Sequence, residues 1–378
     1  MDLARLRRLN LFGVLQALRG SAEPVTLTEL AALTGLSRAS VDDLTGELTG
    51  QGWAVEVSPA PGSVGRPARR YRFRAEIGHV LGIDIGAHTV LVSLADLGGT
   101  VLTSARRPVP PGIGRADRLK AVDDVVDRCL ADAGVDTSQI WVIAIGTTGV
   151  VGPDGEVTVA WAAADWTGVP LAEHLRDRCM GAVLVDNDTR LAALAEQHLG
   201  AARSAQDVIY LHAGLHTSAA LIVAGRVHRG SGGAAGEIGT FPVIPWATAA
   251  ERLAQCPVIP PDMPVRDAAA HVLSAAREGD TTAMKAVNRY ANDLALGLAA
   301  MILTVDPELV VLGGGLVHSA DVLLPRLRDH LEPLCLRLPD LSPSPLGDDR
   351  VALGAIRRAI DHVETTYLAH NTRPSPRT

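Results

Sequence analysis

The sequence predicts an α/β protein in which a winged helix-turn-helix precedes a two-lobed α/β body built from a duplicated unit. Residues 26–51 have the pattern of two short helices around a glycine, and residues 54–74 that of two strands around a turn. The rest of the chain repeats a strand-turn-strand pattern twice. With 378 residues and 47% hydrophobic content, the chain can hold about two or three domains.

The helix pair is predicted from apolar spacing and from two punctuating residues. Gly35 breaks the first helix, and Ser37 is placed to cap the second. The apolar positions are Leu27, Leu30, Ala31 and Leu33 in the first helix and Val41, Leu44, Leu48 and Trp53 in and after the second. The apolar faces of the two helices are therefore expected to pack in one small core.

The start of the second helix is free of this core. In a helix-turn-helix, the beginning of the second helix contacts base edges in the major groove. The predicted DNA-contacting residues here are Ser37, Arg38, Ala39, Ser40 and Asp42. An ordinary helical hairpin is the alternative, because helix pairs around a glycine are common.

A basic hairpin follows the helix pair. Ala54–Val57 suits a strand, Ser58–Ser63 a turn and Gly65–Arg74 a second strand rich in arginine. Guanidinium groups suit both phosphate contacts and a narrow minor groove. The wing residues predicted to contact DNA are Arg66, Arg69 and Arg70. A solvated linker is the alternative for this segment.

Charge is distributed unevenly along the chain. Residues 1–78 carry ten arginines and eight acids, a net charge of +2, whereas the whole chain carries −7. This asymmetry has the sign expected of a nucleic-acid module joined to an acidic body. Asp42 and Asp43 in the second helix repel phosphate, so we expect them to lower non-specific DNA affinity.

Composition also limits the compartment and the cofactors. The charged, amphipathic Met1–Asn10 is unlike a signal peptide, and no apolar run reaches the eighteen or so residues that span a bilayer. We therefore expect a cytoplasmic protein without a membrane partner. The four cysteines, whose scattered spacing indicates neither disulfides nor a zinc knuckle, are Cys129, Cys179, Cys256 and Cys335.

The body contains two similar hairpins that each open one half. His79–Ala95 and Val208–Gly230 both have a strand, a turn of small residues and a second strand, which predicts two lobes with a ligand-binding cleft between them. Near the end, Gly313–Gly315 follow a buried strand. Bare backbone there suits either a nucleotide or a simple turn into a helix.

The order of these features resembles the ROK family of repressors and sugar kinases. The residues that carry the resemblance are the winged helix-turn-helix, DIGAHT at 84–89, DNDTRLAALAE at 186–196, GEIG at 236–239 and LGGG at 312–315. The resemblance covers almost the whole chain. It implies an actin-like, sugar-kinase-like body of two ribonuclease H-like lobes, assembled as a homodimer or homotetramer. Family members are either hexose kinases that use ATP or, with the extra DNA domain, repressors tuned by sugars.

Domain boundaries follow from the resemblance and the composition. The expected units are a winged helix-turn-helix at 1–76, a first lobe at 77–190 completed by a C-terminal helix at 350–365, and a second lobe at 191–349. The polar residues 366–378 are expected to form a disordered tail.

The ligand-binding residues are assigned by the same resemblance. Asp188 matches the catalytic base of the kinases and Asn187 a ligand of the sugar hydroxyls. Asp188 also suits a helix N-cap, and this alternative stays open. The predicted ligand-binding residues are Asn187, Asp188, Glu237 and Thr240.

The phosphate-binding turns depart from the kinase pattern. Ala87 stands where the family has a second glycine of DxGGT, and a Cβ there obstructs phosphate. The family's GTGxGGG falls on residues 214–220, where Leu215, His216, Ser218, Ala219 and Ala220 replace its threonine and glycines. We therefore predict no kinase activity and no catalytic residue, with Asp188 as a relic of the base.

The zinc module of the family is also missing. Thr240 replaces a histidine that binds sugar and zinc in many members, and the CxCGxxGCxE segment has no counterpart apart from Cys256. Tetrahedral zinc needs four nitrogen or sulfur ligands, so we predict neither a structural zinc nor another cofactor. Ala162 stands where the resemblance places a sugar-binding asparagine, while Trp166 remains and is expected to pack in the core.

The sequence therefore favours a transcriptional regulator, a repressor that binds a double-stranded DNA operator. Its kinase-like body would sense a sugar or a related metabolite. Two other hypotheses stay open: a sugar kinase with an appended DNA-binding domain, and a DNA-binding dimer that needs no ligand.

Overall fold

The computed structural model describes residues 3–57, 68–110, 112–160, 164–370 and 372–374. They form a small N-terminal winged domain and two larger lobes. Within these residues, no helix combines the length and the apolar character needed to cross a membrane.

The winged domain contains three helices and a three-stranded antiparallel sheet. Its elements are α1 (Leu3–Gly20), β1 (Val25–Thr26), α2 (Leu27–Thr34), α3 (Arg38–Gly50), β2 (Ala54–Val57) and β3 (Arg70–Phe73). The sheet order is β1-β3-β2. Helix α1, which the sequence analysis does not assign, packs against both α2 and α3.

The local signals of the helix pair are confirmed with one exception. Gly35 ends α2 in the left-handed region at φ +69°, and the Ser37 hydroxyl accepts a hydrogen bond from the Ser40 amide at 3.2 Å. Leu33 is wrong as a core residue, because its side chain stays 62% exposed in the last turn of α2, beside Leu9 of α1. The predicted turn 58–63 lies outside the described residues.

Lobe 1 is built on a five-stranded sheet flanked by helices. Its elements are β4 (His79–Ile85), β5 (Thr89–Asp96), β6 (Val101–Pro108), α4 (Arg115–Ala133), β7 (Ile140–Thr147), β8 (Val150–Val151), β9 (Val157–Val159), α5 (Leu171–His174) and β10 (Val183–Asn187). The sheet order is β6-β5-β4-β7-β10, and β8 and β9 form a separate small hairpin.

Lobe 2 repeats this plan. Its elements are α6 (Asp188–Leu199), β11 (Val208–His212), β12 (Ser218–Val223), β13 (Arg226–His228), α7 (Trp246–Leu253), α8 (Val265–Arg277), α9 (Thr281–Val305), β14 (Leu309–Gly313), α10 (Ala320–Leu331) and β15 (Asp340–Pro343). The sheet order is β13-β12-β11-β14-β15. In both lobes the first three strands are antiparallel and the last two continue parallel to the first, which confirms the predicted duplication.

Two helices form the junction between the lobes. The final helix, α11 (Arg350–Thr366), lies on strands β4, β5 and β7 of lobe 1 and crosses α6. The crossing is close: a Cβ at Gly354 would lie 1.8 Å from the Leu191 carbonyl oxygen. The lobe boundary expected at residue 190 therefore falls inside α6, because this helix continues directly from β10 into the junction.

The C-terminal segment differs from the disordered tail expected at 366–378. Helix α11 runs to Thr366, Leu368–His370 form a 3-10 turn, and Leu368 is buried. The reason is packing, since Tyr367 and Leu368 contact the same core as the winged domain. Residues 371 and 375–378 lie outside the described part of the chain.

Candidate nucleic-acid interface and inter-lobe cavity

The start of α3 presents a polar, exposed surface. All five residues predicted there to contact DNA are exposed: Ser37, Arg38, Ala39, Ser40 and Asp42. The hydroxyls of Ser37 and Ser40 lie 2.9 Å apart and hold the helix cap. Arg38 forms no hydrogen bond or ion pair with another described residue. Its guanidinium is thus free to contact an external partner.

The acidic residues of α3 are partly neutralised from α1. The Arg7 guanidinium donates to the carboxylates of Asp43 and Glu47, both at 2.7 Å. Asp43 is therefore paired on the α1 side of the helix, whereas Asp42 stays exposed without such a bridge. Less of the acidic charge opposes phosphate than the sequence predicts.

The wing arginines have different environments. Arg70 donates to the Pro24 carbonyl oxygen at 2.6 Å and lies 3.7 Å from a Glu29 carboxylate oxygen, so protein groups already engage it. Arg69 is 65% exposed and lies 3.6 Å from Glu56, which leaves it the more available of the two. Arg66 lies outside the described residues.

An aromatic contact fixes the winged domain to lobe 1. The rings of Trp53, after α3, and Trp141, in β7, meet edge to face with centroids 5.6 Å apart. Trp141 makes a similar contact with Tyr367 at 5.8 Å, and the Arg373 guanidinium lies 5.5 Å from the Trp53 ring centroid. We call this group of rings, Trp53, Trp141 and Tyr367, the aromatic seam.

A largely buried ion pair borders the aromatic seam. Arg19, at the end of α1, pairs with Glu364 near the end of α11, and its Nε donates to the Leu97 carbonyl oxygen at 3.3 Å. Arg357 also donates to Glu364 at 3.1 Å. The end of α11 is thereby tied to the first helix of the winged domain.

A cavity of about 480 Å³ lies between the two lobes. The four predicted ligand residues, Asn187, Asp188, Glu237 and Thr240, all line it, together with Thr148, Thr189, His216, Thr217, Ser218 and Trp246, which sequence reasoning missed as cavity residues. The missed residues come from the β7–β8 turn, the start of α6, the β11–β12 turn with the first residue of β12, and the start of α7, which lie far apart in the chain.

Asn187 and Asp188 have different roles at the start of α6. The Asn187 side chain caps α6 by accepting from the Arg190 amide at 3.0 Å, and it donates to the Gly149 carbonyl oxygen at 2.9 Å. The helix cap is thus Asn187, and the alternative that Asp188 caps α6 is wrong. Asp188 accepts through Oδ1 from the Thr189 amide at 2.7 Å, which leaves Oδ2 without a hydrogen bond among the described residues.

The carboxyl groups of this region have raised pKa values. Burial raises the pKa of Asp188 to about 6, against the opposing effect of hydrogen bonds from Thr189. Burial and the neighbouring charge of Asp188 raise the pKa of Glu237 to about 6. The same two causes raise the pKa of Asp84, at the end of β4, to about 8. The cleft therefore brings together carboxyl groups whose charged forms are disfavoured by burial.

The nearest cation is occupied elsewhere. The Arg190 side chain is 3% exposed, donates to the carbonyl oxygens of Val151 and Gly233, and pairs with Asp186 at 2.9 Å. Arg229, from lobe 2, donates to the same Asp186 at 2.6 and 2.9 Å. This group of charges joins the lobes beside the cavity and does not line it.

The two turns that resemble phosphate-binding loops face each other across the cleft. The β4–β5 turn closes with a hydrogen bond from the Gly86 amide to the Thr89 carbonyl oxygen at 2.9 Å. In the second turn, burial and then the charge of His88 lower the pKa of His216. Ala219 and Ala220, the last two residues of this segment, are buried in strand β12.

The glycine run after β14 has a packing explanation. A Cβ at Gly313 would lie 2.1 Å from the Tyr210 hydroxyl, and one at Gly314 would lie 2.2 Å from the Ala213 carbonyl oxygen. Gly314 also has a φ of +91°, which favours glycine. Close contact between β11 and β14 thus accounts for two of the three glycines without a nucleotide.

Trp246 organises the segment where the family resemblance places zinc ligands. Its ring is 1% exposed, lies against Gly239 and Gly297, and donates through Nε1 to the Leu294 carbonyl oxygen at 3.2 Å. Cys256 is buried in the same core. Across the described ranges, no three His, Cys, Asp or Glu side chains group as a metal site would require.

Trp166 is a core residue, as predicted. Its ring is fully buried, its Nε1 donates to the Thr147 hydroxyl at 2.8 Å, and the Arg118 guanidinium lies 5.3 Å from its centroid. Ala162 lies outside the described residues.

Comparison with known proteins identifies relatives of both parts of the chain. The ROK family matches residues 80–258 and 264–361, and the IclR helix-turn-helix domain matches residues 9–58. The xylose repressor of Caldicellulosiruptor bescii is 24% identical over 350 residues, which cover 86% of this chain and 87% of the relative.

Two crystal structures share the fold. A ROK family transcriptional regulator, homolog of the E. coli MLC protein, has a TM-score of 0.75 at 20% identity and covers 97% of this chain and 100% of its own. A ROK family glucokinase from Streptomyces griseus, in complex with glucose and AMPPNP, has a TM-score of 0.65 at 24% identity and covers 75% of this chain and 100% of its own. The regulator alignment thus includes the winged domain region as well as the two lobes.

Proposed function

The chain belongs to the ROK family, and we propose that it is a DNA-binding transcriptional regulator, a repressor whose kinase-like body senses a sugar or a related metabolite. We place it in the cytoplasm, where it would meet its operator. The observation that carries the proposal is the exposed start of α3, where a capped helix presents the unpaired Arg38. The xylose repressor relative, which covers most of both chains, supports the same function.

Selection of genomic DNA fragments by the purified protein at physiological salt tests this function. We expect enrichment of a few two-fold related sites and loss of that enrichment in Arg38→Ala, because one base contact typically contributes about 1–3 kcal/mol of discrimination. Arg128→Ala is the matched control, since Arg128 is an exposed arginine of α4 in lobe 1. Equal enrichment by both variants, or none by the wild type, would contradict the proposal.

We propose that the body lacks kinase activity. Phosphoryl transfer needs backbone turns that cradle Mg·ATP, and Ala87, Leu215 and His216 place side chains in the two turns concerned. ATP-dependent turnover of a common hexose would refute this and would favour the rival function, a sugar kinase with an appended DNA-binding domain.

We propose likewise that no structural zinc is present. Trp246 packs against Gly239, in the segment that carries Glu237. This apolar contact would hold the segment in place without a metal ion. Elemental analysis of the purified chain should find well under one zinc per protomer. About one zinc per chain would overturn this proposal.

A two-fold assembly would let ligand binding control DNA binding. Two winged domains must reach successive major grooves about 34 Å apart, so a change in their separation alters affinity. We propose a homodimer or homotetramer in which the ligand favours one arrangement of the lobes. Only a ligand with different affinity for the two arrangements shifts DNA occupancy.

Helix α11 provides a direct route for this coupling. It begins at the cleft, where the charge of the buried Arg350 acts on both Asp84 and Asp188. It ends at the winged domain, where Glu364 pairs with Arg19. Its 17 residues span about 25 Å. We propose that a change in lobe closure moves this helix and, through the aromatic seam, the winged domain.

A further inference from the structure

The winged domain has an open groove on the side of α1 that faces away from its core. The groove has a volume of about 580 Å³ and lies between α1 and the end of α2. Two leucines form its rim: Leu33 of α2, whose side chain is 62% exposed, and Leu9 of α1, which is 53% exposed. Apolar side chains exposed together in this way mark a surface that packs against another protein.

The groove face of α1 is made of small residues along its centre. Gly13, Ala17 and Gly20 recur on this face at intervals of three or four residues, opposite the face that packs in the core. A Cβ at Gly13 or at Gly20 would meet no atom within 4 Å. Packing within the chain thus gives no reason for a glycine inside the helix, where it lowers stability. Small residues do let a second helix approach closely.

The order of residues along this face is self-complementary. In a two-fold pair of antiparallel α1 helices that cross at Gly13, each residue meets the one equally far from Gly13 in the other copy. Leu9 then meets Ala17, four residues from the centre on the other side. Leu6, which is 38% exposed, meets Gly20, seven residues from the centre. Each exposed leucine therefore packs on a small residue of the other copy.

Polar and charged residues follow the same rule. Asn10 and Gln16 line the groove three residues on either side of Gly13, so the amide of one copy meets the amide of the other. Arg5, near the start of α1, and Glu23, beyond its end, are exposed, and neither pairs with a charged group among the described residues. Antiparallel packing brings Arg5 of each copy towards Glu23 of the other. Opposite charges at both ends favour this orientation over a parallel one.

The same pairing suits the proposed DNA contact. Helix α1 packs on α3 with one face and carries the groove on the opposite face, so the two α3 helices of a pair lie on the outside. Packed helices lie roughly 8–10 Å apart, and three such distances separate the two α3 helices by roughly 24–30 Å. Successive major grooves on one side of DNA are about 34 Å apart. Pairing through α1 therefore brings both α3 helices near adjacent major grooves.

We propose that two copies of this chain pair through α1: the groove of each winged domain receives α1 of the other, antiparallel and centred on Gly13. This inference rests on the proposed function and names the surface that the two winged domains share. One pair of helices is small beside the roughly 1,200–2,000 Å² that stable interfaces bury. The lobes and the operator therefore contribute the rest of the assembly.

Disulfide cross-linking of the full chain tests the pairing. Gly13→Cys places the thiols of two copies opposite each other, whereas Arg8→Cys places them on an exposed part of the same helix away from the groove. Cys335, which is only partly buried, is changed to serine in both variants. Under mild oxidation we expect Gly13→Cys to form a covalent dimer at least ten-fold faster than Arg8→Cys. Equal rates would overturn the inference and leave the groove to a different protein.

A charge in the groove gives a second test. Gly13→Glu should fold at least as stably as the wild type, because its Cβ meets no neighbour and glutamate is the better helix former. Two like charges would then meet at the centre of the pair. We expect at least ten-fold weaker binding to DNA with two half-sites and unchanged binding to a single half-site. Ala131→Glu, the same charge change at an exposed position of α4, should alter neither. Unchanged binding of Gly13→Glu to two half-sites would overturn the inference.

The two tests separate this inference from the proposed function. Failure of the wild type to bind any DNA site selectively would refute the function, and the cross-linking rates would still decide the pairing. Selective DNA binding together with equal cross-linking rates would refute the pairing alone.

Discussion

The sheets of lobe 1 and lobe 2 have the same strand order, yet the elements packed around them differ. Lobe 1 is covered by α4 and α11 and carries the winged domain on the aromatic seam. Lobe 2 is covered by its own helices α7 to α10, whose core includes Trp246. The sheet that both lobes share places a turn from each lobe beside the cavity. The elements around the sheets differ in role: the winged domain packs on lobe 1, and much of the cavity lining comes from lobe 2.

Each lobe contributes a carboxyl group to the cleft. Asp84 belongs to lobe 1 and Glu237 to lobe 2, and Asp188 begins the helix between them. All three carboxyl groups have raised pKa values because they are buried, and the charge of Asp188 further raises the pKa values of Asp84 and Glu237. The two halves of the duplicated scaffold therefore bring acidic side chains from different elements to the same cleft.

The largest expected effect comes from replacing the buried tryptophan of each lobe, Trp246 in lobe 2 and Trp166 in lobe 1. Trp246→Ala should lower the free energy of unfolding by about 3–5 kcal/mol, because it empties a buried site in the lobe 2 core, and should also abolish sugar binding. Trp166→Ala, its buried counterpart in lobe 1, should cost a similar amount but preserve sugar binding, since Trp166 does not line the cavity. Denaturant unfolding and calorimetry measure both, and equal loss of binding in the two variants would contradict the comparison.

The second effect concerns the lobe 1 carboxyl in the cleft. Asp84 has a folded pKa of about 8 against an ordinary value of 3.8, so its contribution to stability is fully present below about pH 4 and is lost as the pH rises through 8. Asp84→Asn should therefore stabilise the protein, and by more at pH 9 than at pH 5, because the variant has no charge to bury at either pH. Thermal unfolding at the two pH values measures this, with Asp132→Asn, an exposed change in α4, as the control.

A smaller effect on stability tests the connection between the lobes and the winged domain. Arg19→Ala should cost about 1 kcal/mol, because Glu364 keeps its partner Arg357. Its main consequence should be a weaker effect of the sugar on operator affinity, with the sugar affinity unchanged. Fluorescence anisotropy of labelled operator with and without sugar measures this. An unchanged response would exclude the α11 route.

The smallest effect concerns the helix that we propose contacts DNA. Ser37→Ala should cost about 0.5–1 kcal/mol, because the Ser40 amide loses its acceptor. Ser37→Thr should restore most of the stability, since a threonine hydroxyl also caps helices. Thermal unfolding would decide this, and equal stability of the three proteins would show that the cap contributes nothing.

Local features of this chain were predictable from the sequence. The glycine and serine that end α2 and begin α3 act within a few residues, and the strands β2, β4 and β5 follow from alternating and β-branched residues. The duplicated plan was visible because each lobe repeats its hairpin. The sequence did not show whether Asn187 or Asp188 caps α6, because both residue types cap helices and the two are adjacent in the chain.

The sequence by itself determined the order of domains, the helix-turn-helix, the duplicated lobes and the four predicted residues that meet in the cavity. Only the tertiary structure decided that Trp246 forms a cavity wall, that Arg190 is occupied, and that Trp53 and Trp141 join the winged domain to lobe 1. These contacts join residues far apart in the chain. Local spacing carries no record of such pairs, because their proximity is set by the packing of whole elements against one another.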